Sequence, residues 1–101
     1  MTAPVARGEA VVTHRVGLHA RPAVKLTKVA KSFASAVRLG ASPDAPWIDA
    51  KSIVKVMALK VKAGAVLRFE AEGSDAAAAV AALVDLVRRD FDEPQSAPPH
   101  G

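Results

Sequence analysis

Apolar and polar positions change period along this chain, and each change marks an element. Glu9 to Arg15 alternates around Val11 with β-branched residues, which predicts an early strand behind a short tail, Met1 to Arg7. From Ala20 to about Ala34 the residues Ala23, Leu26, Val29, Ala30 and Phe33 recur at steps of three and four, predicting a helix with one buried face and a basic opposite face. Val37 to Leu39 begins a second strand. The turn-forming run Ser42-Pro43-Asp44-Ala45-Pro46 separates it from a third at Trp47 to Asp49. Ser52 can cap a short helix through Lys60, and Gly64 then punctuates the chain. Ala65, Leu67, Phe69 and Ala71 alternate with Val66, Arg68, Glu70 and Glu72, the clearest half-buried strand in the sequence. Ser74 or Asp75 caps a last helix running to about Phe91, alanine-rich with Val80, Leu83, Val84 and Val87. The stretch from Pro94 to Gly101 reads as a disordered tail.

The order strand, helix, strand, strand, short helix, strand, helix predicts an α+β layered domain with helices over one face of a sheet. A chain of 101 residues makes one domain, placed at 8–91 between a flexible tail at 1–7 and a disordered tail at 92–101. The absence of cysteine excludes thiol catalysis, disulfides and cysteine-ligated zinc. His14, His19 and His100 lack metal-ligand spacing, so neither a metal nor another cofactor is expected. No apolar run has the flanks of a signal peptide or the length of a membrane span, and a cytoplasmic monomer is expected.

Chemistry concentrates at Gly17-Leu18-His19-Ala20-Arg21-Pro22-Ala23. Proline fits the first turn of a helix and fits its interior badly, so the helix should begin near Ala20 with His19 at or beside its N-cap. His19 then faces the first-turn amides of Ala20, Arg21 and Ala23, and the positive end of the helix dipole favours an anion there. Arg21 adds a forked cationic donor suited to phosphate oxygens. An imidazole titrating near neutrality can act as nucleophile and leaving group, so His19 can accept a phosphoryl group and pass it on. Arg21, Lys25 and Lys28 share a helix face, Lys31 extends it, and Lys51 and Lys55 on the short helix can complete a basic surface for acidic partners.

The same string resembles the phosphohistidine signature of the HPr family of phosphocarriers in the bacterial sugar phosphotransferase system. Ala50-Lys51-Ser52-Ile53-Val54-Lys55-Val56-Met57 resembles that family's regulatory-serine helix, and Glu72-Gly73-Ser74-Asp75 resembles the entry to its last helix; together the match spans about Glu9 to Arg89. The resemblance implies an open-faced β-sandwich, four antiparallel strands covered on one face by three helices (βαββαβα). It implies phosphorylation at Nδ1 of His19, with Arg21 and the amide of Ala20 holding the phosphate. Its partners would be enzyme I as donor and enzyme IIA proteins or domains as acceptors, so the chain would be a carrier with a phosphohistidine intermediate rather than a stand-alone enzyme. Ile53 and Val54, flanked by Lys28, Lys31, Lys51 and Lys55, would meet those partners, whereas the spacing of Ile53, Val56 and Met57 is that of a buried stripe, with Val56 expected inside. In some members an HPr kinase/phosphorylase modifies the serine matched by Ser52. Lys55 stands where that subgroup usually has glycine, so Ser52 is read first as a helix cap and second as a regulatory site.

Two roles within the family, nitrogen-related regulation and dihydroxyacetone phosphorylation, share the signature with sugar import. Outside it, a sequence pI of about 9.9 allows a nucleic-acid-binding domain. One tryptophan, three phenylalanines and no tyrosine, without a base-stacking motif, argue against it. A hydrolase is weaker still, since no second acid or base and no glycine-rich nucleotide loop accompanies His19.

Overall fold

β4 (Val66–Glu72) is the organising strand. It pairs antiparallel with β1 (Val5–Val11) on one side and with β2 (Ala36–Ala41) on the other, and β2 carries the two-residue β3 (Ile48–Asp49), giving the sheet order β1-β4-β2-β3. The structure is a computed structural model that describes residues 3–13, 20–41 and 46–92. Leu67, Phe69 and Ala71 point from β4 into the core, while Val66, Arg68, Glu70 and Glu72 line the other face of the sheet. α1 (Ala20–Lys31), α2 (Ile53–Ala58) and α3 (Ala76–Arg88) cover the apolar side. The architecture is therefore the open-faced sandwich of four antiparallel strands and three helices, in the order βαββαβα. No described helix is long and apolar enough to cross a membrane.

The helix stripes fill the core as the periodicity requires. Ala23, Leu26 and Ala30 of α1 are fully buried, with Val29 and Phe33 packed at the margin; Leu83, Leu86 and Val87 of α3 meet them under the sheet. Thr27 is buried as well, and its hydroxyl donates to the Val24 carbonyl at 3.0 Å, which satisfies the polar group without a distant partner.

Several element boundaries differ from the sequence reading. β1 begins at Val5 rather than Glu9 and ends at Val11, so Val5, Ala6 and Arg7 belong to the sheet, in register with Glu72, Ala71 and Glu70, instead of to a tail. The inward positions Ala6, Gly8 and Ala10 are small, which hides the alternation. Their size has a cause: α3 lies close beneath, and a Cβ at Gly8 would sit 2.7 Å from Val80 Cγ1. α1 ends at Lys31, and α2 ends at Ala58 rather than Lys60, which takes a positive φ of 52°. α3 ends at Arg88; Asp90 and Phe91 both adopt φ of 57°, which breaks the helix and turns Phe91 back into the core within the 3₁₀ turn Asp90–Asp92. The turn proposed at Ser42 to Ala45 and the tail from Pro94 to Gly101 lie outside the described residues.

Asp75 ties the two ends of the fold together. It occupies the N-cap position of α3, yet its carboxylate makes no cap bond there. Instead it accepts from the Ala34 amide at 2.9 Å, from the Ser35 amide at 2.9 Å and from the Ser35 hydroxyl, closing the α1–β2 turn onto the start of α3. Gly73 makes room for this contact. Its φ is 149°, and a Cβ there would lie 2.8 Å from the Ser35 Cα.

The Ser35 hydroxyl, then the Ala34 amide, hold the Asp75 carboxyl below its ordinary pKa. A depressed carboxylate stabilises the fold at and above the usual carboxylate range, and that contribution is lost as pH falls through the lower folded pKa. Asp75→Asn should therefore lower the thermal midpoint at neutral pH. The gap to wild type should close on acidification, as read by circular dichroism melts between about pH 7 and pH 2. A gap independent of pH would contradict the clamp.

Candidate functional site

α1 begins at Ala20, immediately after His19 in the sequence. Pro22 is buried in the first turn, where its missing N–H costs no helical bond and its fixed φ is already that of the helix. With the helix starting there, the amides of Ala20 and Arg21 fall before the first regular main-chain bond of α1. Ala23 is the first whose N–H can join the regular ladder, so it drops from the predicted anion-facing amides. The acceptor assigned from sequence, His19, lies outside the described residues, as does His14.

Ala20, Arg21, Val24, Lys25 and Lys28 line a shallow concavity of about 300 Å³ on the exposed side of α1. It is open rather than enclosed, a shape suited to contact with another macromolecule more than to burying a small substrate. A larger concavity of about 500 Å³ lies among Trp47, Arg38, Asp49 and Lys51, and α1 contributes nothing to its lining.

The basic surface proves smaller than its sequence suggests. Lys25 is half-buried and donates from Nζ to the Phe91 carbonyl at 2.9 Å, holding the C-terminal turn against α1. Lys51 donates from Nζ to the Phe33 carbonyl at 2.9 Å, and its amide donates to Asp49 Oδ1 at 2.9 Å. Both ammonium groups serve tertiary contacts, and Lys51, expected among the partner-facing charges, is half-buried. Arg21, Lys28, Lys31 and Lys55 are exposed. Nothing in the local pattern separates a tethering lysine from a solvated one, because each tether is to a main-chain carbonyl distant in sequence.

α2 packs against α1 and divides its apolar residues. Val56 is fully buried and Ile53 packs partly against the core, whereas Val54 is 75% exposed and Met57 42% exposed. The stripe expected of Ile53, Val56 and Met57 thus loses Met57 to the surface. Two exposed apolar residues were missed by the sequence reading: Met57, and Val24 on α1, which is 40% exposed. Val24 had a signal, being an apolar residue off the buried stripe and on the basic face.

Ser52 is the N-cap of α2, with extended backbone (φ −102°, ψ 110°). Its hydroxyl accepts from the Lys55 amide at 3.3 Å, and its carbonyl accepts from Val56 at 2.9 Å. The structural half of the Ser52 expectation is met by this geometry.

Comparison with known proteins meets this geometry from another direction. Residues 6–89 match the family described as the PTS HPr component phosphorylation site. The phosphocarrier protein HPr of Pseudomonas aeruginosa is 39% identical over 85 residues, covering 84% of this chain and 93% of that one. A multiphosphoryl transfer protein of Vibrio cholerae is 48% identical over 68 residues, 66% of this chain and 17% of that larger protein. The crystal structure of HPr from Thermoanaerobacter tengcongensis superposes with a TM-score of 0.81 at 36% identity, covering 88% of this chain and 98% of that one. A matching family description over nearly the whole domain, full-length relatives and a shared fold place this chain in the HPr family of phosphotransferase-system phosphocarriers.

Proposed function

We propose that this chain accepts a phosphoryl group from phospho-enzyme I on His19 and passes it to an enzyme IIA protein or domain. The observation that supports the reading is the start of α1 at Ala20, which sets the positive end of the helix dipole and the exposed Arg21 next to the histidine in the chain. In the transfer, the P–N bond of the donor phosphohistidine breaks as a P–N bond forms at His19, on the nitrogen that family resemblance gives as Nδ1. The onward step repeats this exchange in the acceptor's favour. Arg21 and the Ala20 amide carry the negative charge of the phosphoryl oxygens, aided by the positive end of the α1 dipole. The chain supplies positioning and electrostatics, and its partners supply the driving potential.

Incubation of the purified chain with enzyme I and radiolabelled phosphoenolpyruvate tests this reading. Acid-labile, base-stable label is expected on wild type and none on His19→Ala. Label persisting on the variant would overturn the assignment.

The exposed side chains of α1 and α2 form the docking face in this reading. Val24, Val54 and Met57 supply apolar area, and Lys28, Lys31 and Lys55 supply charge for acidic partners. Val54→Asp should slow transfer in both directions by about tenfold with the melting temperature unchanged, because the side chain is solvent-exposed in the free chain. Unaltered transfer kinetics would remove α2 from the docking face.

A further inference from the structure

β1 is an edge strand whose outer side is open among the described residues. The Val12 amide donates to Ala65 at 2.8 Å, the Gly64 amide donates to Val12 at 2.7 Å, and the Gly73 amide donates to Pro4 at 2.9 Å. Even-numbered positions therefore turn their main-chain groups toward β4. By strand alternation, Val5, Arg7, Glu9 and Val11 turn theirs away from the sheet and place their side chains on its uncovered face. Neither proline nor lysine blunts this edge, the usual protections for a strand of such length.

The sequence of the strand is self-complementary. Val-Ala-Arg-Gly-Glu-Ala-Val reads as a palindrome in size, with opposite charges at the mirrored positions Arg7 and Glu9. We propose that β1 pairs antiparallel with β1 of a second copy of this chain about a two-fold axis at Gly8. This arrangement sets Arg7 against Glu9 of the partner subunit as a hydrogen-bonded pair and Val5 against Val11 of the partner subunit, with Gly8 facing Gly8 of the partner subunit. Other two-fold registers that keep outward-facing groups together put the axis at Arg7 or Glu9, where like charges meet, or at Ala6 or Ala10, where no Arg–Glu pair forms and far less of the strand overlaps. The Gly8 axis is favoured by charge and by main-chain pairing at once.

The row across the open face supports the same register. Arg38 lies beside Glu70 on β4, with Nε to Oε1 at 3.7 Å, and Glu70 takes Arg7 Nε at 2.8 Å. A partner's β1 then adds Glu9 of the partner subunit beyond Arg7. Within one chain Glu9 is in register with Arg68, whose guanidinium lies 5.2 Å from the Trp47 ring centroid. The signs along the joined sheet alternate from Arg38 through Glu70 and Arg7 to Glu9 and Arg68 of the second copy. Val5 and Val11, 52% and 49% exposed in the single chain, cover each other at the two ends. Strand-to-strand pairing of this length is a small interface, so the dimer is weak and forms with rising concentration. It uses the sheet edge and leaves the exposed faces of α1 and α2 open.

Sedimentation equilibrium from micromolar to millimolar chain tests the proposal independently of phosphoryl transfer. A monomer–dimer equilibrium is expected for wild type. Glu9→Arg and Arg7→Glu should each weaken it about tenfold or more, because each opposes like charges at both symmetric crossings. An equimolar mixture of the two variants should recover wild-type association, since every crossing in the mixed dimer is again opposite in sign. Glu9→Pro removes an outward N–H and should abolish pairing while circular dichroism shows the fold retained. A chain that remains monomeric at millimolar concentration, or a dimer that Glu9→Arg leaves unchanged, overturns the proposal.

Discussion

The alternation of β4 is the constraint on which the rest of the structure depends. Helices cover only one side of the sheet, so the strand that pairs with both neighbours must send Leu67, Phe69 and Ala71 inward and Arg68, Glu70 and Glu72 outward. A one-residue slip would bury the charges and expose the core. With that register set, β1 and β2 are placed by main-chain pairing, and α1 and α3 have one apolar surface on which to lie. The uncovered side is then free to carry a ladder of charges, with Glu70 shared between Arg7 and Arg38.

The N-terminal end of α1 is held by contacts remote from it. Its far end is fixed by Asp75 reaching back to Ala34 and Ser35, and by Lys51 reaching the Phe33 carbonyl. Along its length, Lys25 holds the Phe91 carbonyl. These tethers, with Pro22 buried in the first turn, fix the helix axis so that the amides of Ala20 and Arg21 present a preorganised electropositive end. Two lysines that look available for binding, Lys25 and Lys51, are used to hold the fold together.

Much of this was legible from the residues. Long, strongly periodic segments such as β4 and the α1 stripe were clear, since burial on one face dictates their period. So was Ser52 as a cap, because a hydroxyl before a helical stretch has a local partner. The start of β1 was hidden by Ala6, Gly8 and Ala10, whose small size reflects the closeness of α3 and removes the contrast that a pattern needs. The cap of α3, left open between Ser74 and Asp75 by the sequence, falls on Asp75, whose carboxylate bonds elsewhere because its partners are about forty residues away in the chain. The break at Asp90 and Phe91 depends on left-handed backbone at residues that do not advertise it. The proposed site is read from the chemistry of Gly17 to Ala23, while the tethering of Lys25 and Lys51 to main-chain carbonyls required the tertiary structure.

The most direct test of the account is the change in backbone amide shifts when the ¹⁵N-labelled chain is phosphorylated by enzyme I and phosphoenolpyruvate. A phosphoryl group held at the start of α1 should move the Ala20 and Arg21 amides most, with Ser52 to Lys55 and the strands little changed. Shifts concentrated around Ser52, or spread over the open face of the sheet, would contradict phosphate capture by the α1 end.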